Sequence, residues 1–288
     1  MSAERVVGFI GLGNIGAPMA RRLLDGDVPL VVHDVVAAAV EPFVAEGAVA
    51  ASTPAELARD ATVISVVVRD EAQVRNVLVG PDGILAAASP GTVVAVHSTI
   101  SAEGAVALAD LAAGAGVELV DAPISGGAMG AHEGTLAVMA GGTEAAVERA
   151  RPVLERYATL VVHTGPVGSG TRMKIARNLI TFASFAAVGE AQRLAAVAGL
   201  DVGQLGDVVR HSDRVTGGAG AIMLRPTAEE MAADDGLRPI FGHTLTLGSK
   251  DLDLAAAMGA ELGVDTPFAE LARRLLASAL GLEAYPES

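Results

Sequence analysis

The stretch GFIGLGNIGAPMA, residues 8–20, constrains the chain more than any other. It closes the apolar run RVVGFI (5–10), places glycines at Gly11, Gly13 and Gly16, and opens into a helical pattern. In a strand–turn–helix unit, the first glycine of G-x-G-x-x-G makes the turn and the second lets the backbone approach a pyrophosphate. The third lets the helix pack on the strand with its N-terminus aimed at negative charge. A tight turn alone imitates the pattern, and the rest of the chain decides between the two readings.

The first half repeats the strand–helix rhythm. A helix is expected over APMARRLLDG (17–26) and a second strand over PLVVHD (29–34). AAAVEPFVAEG (37–47) is helical, either through its proline or broken by it. In ASTPAELARD (51–60), Ser52 and Thr53 are candidate caps, Pro54 is a first helical residue, and Glu56 stands three after Thr53. ATVISVVV (61–68), GTVVAVHST (91–99) and VELVDAPI (117–124) are apolar runs of strand length without alternation. Such strands separated by helices predict a parallel sheet covered on both faces. From about residue 165 the patterns are almost all helical. The predicted fold is therefore α/β: a Rossmann-type parallel-sheet domain over 1–163, then an all-α domain over 164–288, with a long interdomain helix after HTGPVGSG (163–170).

Composition narrows the function. The 288 residues are 51% hydrophobic and 19% charged, enough for a substantial core. The net charge is −14, without a basic patch, which argues against nucleic acid. There are no cysteines, so disulfides, thiolate metal sites and cysteine nucleophiles are excluded. The six histidines are scattered, His132-Glu133 reads as loop surface, and no metal is expected. No G-x-S-x-G elbow suggests a hydrolase. The N-terminal residues lack signal-peptide character, and the most apolar long stretch (178–200) contains Glu190, Gln192 and Arg193. The expectation is a soluble, cytoplasmic protein with no membrane partner.

Three further features carry chemistry. The second strand ends at Asp34, 21 residues after Gly13, where a carboxylate can accept from both ribose hydroxyls and repel a 2′-phosphate. No Arg or Lys follows in VVAAAVEPF, so NAD is expected over NADP. In DAPISGGAMGAHEGTLAVMAGG (121–142), Ser125, Gly126 and Gly127 offer a hydroxyl and unobstructed amides able to hold a small carboxylate. In KIARN, Lys174 and Asn178 share a helix face, a lysine for proton exchange and an asparagine to orient a hydroxyl or carboxylate.

Together these motifs resemble the β-hydroxyacid dehydrogenases, the family of 3-hydroxyisobutyrate dehydrogenase and tartronate semialdehyde reductase. GFIGLGNIGAPMA resembles the family's cofactor motif, DAPISGG its substrate loop, GSGTRMKIARN its catalytic helix and KDLDLA (250–255) its C-terminal lysine motif. The resemblance spans nearly the whole chain. It implies that Lys174 is the acid/base, that Asn178 holds substrate beside it, and that Ser125, Gly126 and Gly127 bind the substrate carboxylate. Cofactor binding falls to Gly11, Leu12, Gly13, Asn14, Ile15, Gly16 and Asp34, to Val67 and Val68, to Thr99, and to Lys250 with Asp251 adjacent. Where the family usually has an acidic or polar residue before Ser-Thr, this chain has His97. Related imine reductases generally lack the lysine at position 174. HSDRVTGGAG (211–220), with Arg214, matches no family pattern.

The expected function is hydride transfer between NAD and a small β-hydroxy acid. The alternatives are a semialdehyde or imine reductase on the same scaffold, or a non-catalytic dinucleotide-binding protein. Apolar faces in the helical half, beyond what a small domain needs, predict a homo-oligomer, dimer or tetramer.

Overall fold

The computed structural model describes residues 6–26, 28–218 and 229–283. The end of HSDRVTGGAG, residues 219–220, lies outside them. Within the described residues the chain forms two compact units, the first running to Arg177 and the second starting at Asn178.

The first unit begins with β1 (Val6–Ile10), α1 (Gly16–Leu24), β2 (Leu30–His33), α2 (Ala37–Ala45), β3 (Val49–Ala50), α3 (Pro54–Ala58) and β4 (Ala61–Val66). It continues with α4 (Glu71–Val79), β5 (Val93–Val96), α5 (Ala102–Gly114), β6 (Glu118–Asp121), β7 (Ile124–Ser125) and α6 (Gly127–Glu133). It closes with β8 (Leu136–Gly141), α7 (Glu144–Leu154), β9 (Ala158–Gly165) and the first residues of α8 (Ser169–Val197). Pro42 does not break α2. It is the sixth of nine helical residues, so the helix forgoes the one ladder bond that its N–H would have given to the Ala38 carbonyl. Thr53 caps α3 through the Glu56 amide, while the Glu56 carboxylate accepts from the Ser52 amide.

The strands join in one sheet of order β3-β2-β1-β4-β5-β6-β8-β7, with β9 beside β8. The six strands from β3 to β6 are parallel, five of them the continuous apolar runs of the sequence and the sixth the unpredicted two-residue β3. The far edge departs from that expectation. β8 runs antiparallel to β6 and β7, and β9 parallel to β8. Its strands come from LAVMAG and ATLVVHTG, segments the sequence reading leaves inside a glycine-rich loop and at the interdomain joint. Two apolar clusters cover the sheet. One is built around Phe9, Met19, Leu154 and Tyr157, the other around Ile10, Ile64, Leu78 and Leu108.

The second unit is helical: the rest of α8, then α9 (Val202–Thr216), α10 (Arg238–Leu262) and α11 (Pro267–Ala279). The buried Glu190 carboxylate caps α11 by accepting from the Phe268 and Ala269 amides. No described helix is long and apolar enough to cross a membrane.

Candidate active site

Strand order reverses between β1 and β4, whose following segments lead to opposite sides of the sheet. Ligands of open α/β sheets bind at such a switch point, outside the carboxyl ends of the strands. A cleft of about 570 Å³ opens there. Its walls include Gly11 and Gly13 after β1, Asp34 after β2, and Val67 and Val68 after β4, with Gln73 and Asn76 of α4. The opening motif is therefore more than a turn.

The glycines are individually required. Gly11 has φ +96°, and a Cβ there would overlap the Val67 carbonyl oxygen. A Cβ on Gly16 would overlap the Gly11 carbonyl, so α1 starts hard against the loop. At Gly13 an added Cβ meets nothing within 4 Å. The space that Gly13 leaves open belongs to the cleft, as expected of a backbone approached by a pyrophosphate. Leu12 is buried beneath the loop and Ile15 packs against the core, while Asn14 is exposed. The Leu12 amide donates to Asp34 Oδ2 at 2.6 Å and the Val36 amide to Oδ1 at 2.8 Å. The carboxylate is thus held at the rim by main-chain groups on both sides.

Ser98 fixes the opposite wall. Its Oγ donates to the Val68 carbonyl at 2.6 Å and accepts from the Val68 amide at 3.1 Å. Neighbouring Thr99, exposed after β5, sits on the same carboxyl edge as the glycine loop. Sequence reasoning missed Ser98, although it lies in the quoted GTVVAVHST. It also missed Arg69, which lines the cleft with its Nε 3.0 Å from Asp70 Oδ2.

His97 is fully buried, and burial pushes its pKa down to about 4. The neutral ring donates from Nδ1 to the Ala122 carbonyl at 2.7 Å, leaving Nε2 to accept from the Tyr157 hydroxyl at 3.0 Å. This tautomer is assigned from the partners. Ser65 Oγ closes the group, 3.1 Å from the Tyr157 hydroxyl. His97 thereby braces the end of β6 just before the loop of Ser125, Gly126 and Gly127. The partner Tyr157 lies 60 residues away and carries no local signal.

After β6 the chain passes through Pro123 into Ser125, Gly126 and Gly127. Gly126 has φ +133° and Gly127 φ +64°, and α6 starts there without a side-chain cap. The first amides of any helix lack intrahelical acceptors. Lys174 reaches the same loop: its Nζ donates to the Ile124 carbonyl at 2.6 Å. The lysine is half-buried, and burial, then the charge of Arg177, lowers its pKa from the ordinary lysine value.

The structure thus gathers the predicted residues of the first unit along one sheet edge. Asn178 follows Lys174 by one turn of α8, and Lys250 lies on α10, where its Nζ is 3.0 Å from Asp251 Oδ1. Both belong to the second unit. Arg214 is exposed on α9 beside a shallow depression that it shares with Asp207, Arg210, His211 and Asp213. Among the described residues, no three His, Asp or Glu side chains cluster to hold a metal ion.

With this geometry, comparison with known proteins is decisive. Residues 6–165 match the family model of the NAD binding domain of 6-phosphogluconate dehydrogenase. Residues 168–285 match that of the NAD-binding domain of NADP-dependent 3-hydroxyisobutyrate dehydrogenase. The chain belongs to the β-hydroxyacid dehydrogenase family. It is 51% identical over 276 residues (96% of this chain, 93% of the relative) to an uncharacterized oxidoreductase of Mycobacterium tuberculosis. It is 35% identical to an NAD-dependent L-serine dehydrogenase of Pseudomonas aeruginosa, covering 93% of this chain and 90% of that one. The crystal structure of a putative oxidoreductase from Mycobacterium avium matches with a TM-score of 0.91 at 46% identity, over 96% of this chain and 98% of that one. The protein is an oxidoreductase that uses a nicotinamide dinucleotide, and the open cleft at Gly13 fits such a group.

Proposed function

We propose that the protein is an NAD-dependent dehydrogenase of a small β-hydroxy acid of the 3-hydroxyisobutyrate type, with Lys174 as acid/base. One observation carries the reading: a half-buried lysine of lowered pKa, tethered by a 2.6 Å hydrogen bond to the Ile124 carbonyl, immediately before Ser125, Gly126 and Gly127. A neutral Lys174 still donates one N–H to the Ile124 carbonyl. That bond leaves its lone pair free to take the proton of a substrate hydroxyl. In oxidation the hydroxyl proton passes to Nζ as the carbinol C–H bond breaks, and in reduction Nζ returns it. The bound nicotinamide would supply the hydride acceptor or donor. Ser125, Gly126 and Gly127 hold the carboxylate, and Asn178 orients the hydroxyl one turn from the lysine. Thr99 adds to the cofactor contacts of the first unit. Preorganisation of this kind is worth about 7–11 kcal/mol when reactants are well aligned.

The preference for NAD rests on Asp34. A carboxylate fixed by the Leu12 and Val36 amides accepts ribose hydroxyls and repels a 2′-phosphate. Arg69, the cation on that cleft wall, is paired with Asp70. The test is NADH formation from L-serine, 3-hydroxyisobutyrate, 3-hydroxypropionate and glycerate, repeated with NADP, for the unaltered chain and Lys174→Ala. General acid–base catalysis is worth about 10²–10⁴-fold, so Lys174→Ala loses that much in kcat while NADH affinity stays within about twofold. Equal loss of turnover and NADH binding makes the lysine structural. Higher kcat/KM with NADP overturns the role of Asp34.

We extend the reading to assembly as a homo-oligomer in the cytoplasm. The described residues of α9 include none that is buried, and Val208 and Val215 stand exposed on it as Leu179 does on α8.

A further inference from the structure

The mechanism leaves a buried carboxylate of the first unit unused. Asp121 ends β6 at 1% exposure, and its hydrogen-bond partners are main-chain amides rather than a cation. Oδ1 accepts from the Gly168 amide and Oδ2 from the Thr171 amide, each at 2.7 Å. Gly168 immediately precedes α8, and its carbonyl accepts the first intrahelical bond, from Arg172. Thr171 is the third helical residue. These are the two amides that a capping box satisfies with two local side chains. Here one carboxylate, from a strand some fifty residues earlier, satisfies both.

An ordinary cap would cost less. A Ser, Thr or Asn at the helix start stabilises by about 1 kcal/mol without burying a charge. Burial raises the pKa of Asp121, against which the Thr171 and Gly168 amides act. What the distant carboxylate adds is geometry. A Cβ on Gly141 would overlap Asp121 Oδ1, and a Cβ on Gly170 would overlap the Met139 carbonyl. The first turn of α8 therefore lies backbone against backbone on β6 and β8. One turn further on, Lys174 donates to Ile124, three residues after Asp121. The segment 121–124 grips the helix at both ends of the turn that carries the lysine.

We propose that Asp121 is the positioning residue of Lys174: seated on the Gly168 and Thr171 amides, it sets the rotation and depth of the first turn of α8 and so the direction of the lysine. The inference rests on the acid/base reading of Lys174. Asp121→Asn keeps the shape but turns an NH₂ toward one amide, donor against donor.

The experiment follows NAD reduction with L-serine and with 3-hydroxyisobutyrate against pH, and NADH affinity by fluorescence. Asp121→Asn lowers kcat about 10–100-fold and leaves NADH affinity within twofold. It moves the rising limb of the kcat profile to higher pH, because a displaced Lys174 is better solvated. Wild-type kcat and an unmoved limb overturn the proposal. A loss shared equally by kcat and NADH affinity, with the limb unmoved, overturns it too and makes Asp121 a folding residue. If Asp121→Asn does not fold, Asp121→Ser, which removes the buried charge and leaves a hydroxyl, is read the same way. Lys174→Ala in parallel separates the two claims. If it stays active, the acid/base reading fails. If it is inactive while Asp121→Asn is normal, only the positioning role fails.

Discussion

Two glycines two residues apart should fail in opposite ways. At Gly11, alanine must adopt φ +96° and place its Cβ on the Val67 carbonyl. A left-handed non-glycine residue costs about 1–3 kcal/mol, and overpacking against fixed backbone about 1–3 more. The sum, about 2–6 kcal/mol, is a large share of a typical stability of about 5–15 kcal/mol. At about 2–4 °C per kcal/mol for a unit of this size, Gly11→Ala should melt about 4 °C or more below the unaltered chain without cofactor. Gly13 is not among the positive-φ glycines, and its added Cβ meets nothing within 4 Å. Gly13→Ala should therefore melt within about 1–2 °C of the unaltered chain, and lose instead the close approach of a pyrophosphate. A tenfold weakening corresponds to about 1.4 kcal/mol, and a 10–100-fold rise in the Kd of NADH is expected. Calorimetry without ligand and fluorescence titration with NADH read the two effects separately. If Gly13→Ala binds NADH as tightly as the unaltered chain, or melts as low as Gly11→Ala, the assignment of the open space at Gly13 to the dinucleotide is wrong.

The buried His97 makes stability depend on pH. Its pKa falls from 6.5 unfolded to about 4 folded, so the unfolded chain binds the extra proton and stability is lost as pH drops through that window. At 1.36 kcal/mol per unit, unfolding in denaturant should show about 3 kcal/mol more loss between pH 7.5 and pH 4 for the unaltered chain than for His97→Asn, which keeps a donor for the Ala122 carbonyl. Equal slopes would show that His97 is not buried neutral. For assembly, light scattering at micromolar concentration should give the mass of a dimer or tetramer, and a monomeric mass would refute it.

Five of the six parallel strands were readable because each is an apolar run that ends at a turn or a motif; β3, the exposed pair Val49–Ala50, carries no such signal. β1 runs into Gly11 and β2 into Asp34, and those ends line the cleft. The antiparallel edge was not readable. LAVMAG is short, flanked by glycines and read as part of a loop, and its strand character comes from pairing with β6, β7 and β9. Pattern reasoning likewise found Lys174 but not what holds it. The Ile124 acceptor is a main-chain carbonyl, which any residue supplies, and Asp121 reads as one more letter of DAPISGG. The Ser65–His97–Tyr157 group joins three strand-associated positions that only the sheet order brings together.

The composition of the site also bears on which acid it takes. The glycine loop, the cleft wall at Val67 and Val68, the proposed substrate loop and Lys174 all fall in the first unit. In the proposed reading Gly126 and Gly127 offer backbone amides to what every hydroxy acid shares, its carboxylate, while Gly11 and Gly13 make room for the dinucleotide. In the same reading Lys174 acts on the other shared group, the hydroxyl. None of these contacts distinguishes one β-hydroxy acid from another, because none meets the substituent by which they differ. Discrimination of a missing or added polar group requires a side chain that would be left unpaired by the wrong substrate. Within the proposed set Ser125 and Asn178 carry polar side chains, but they too are assigned to the shared carboxylate and hydroxyl. Exchanging substrates in this scaffold should therefore leave Lys174, Asn178, Ser125 and the glycines in place and change side chains outside this set.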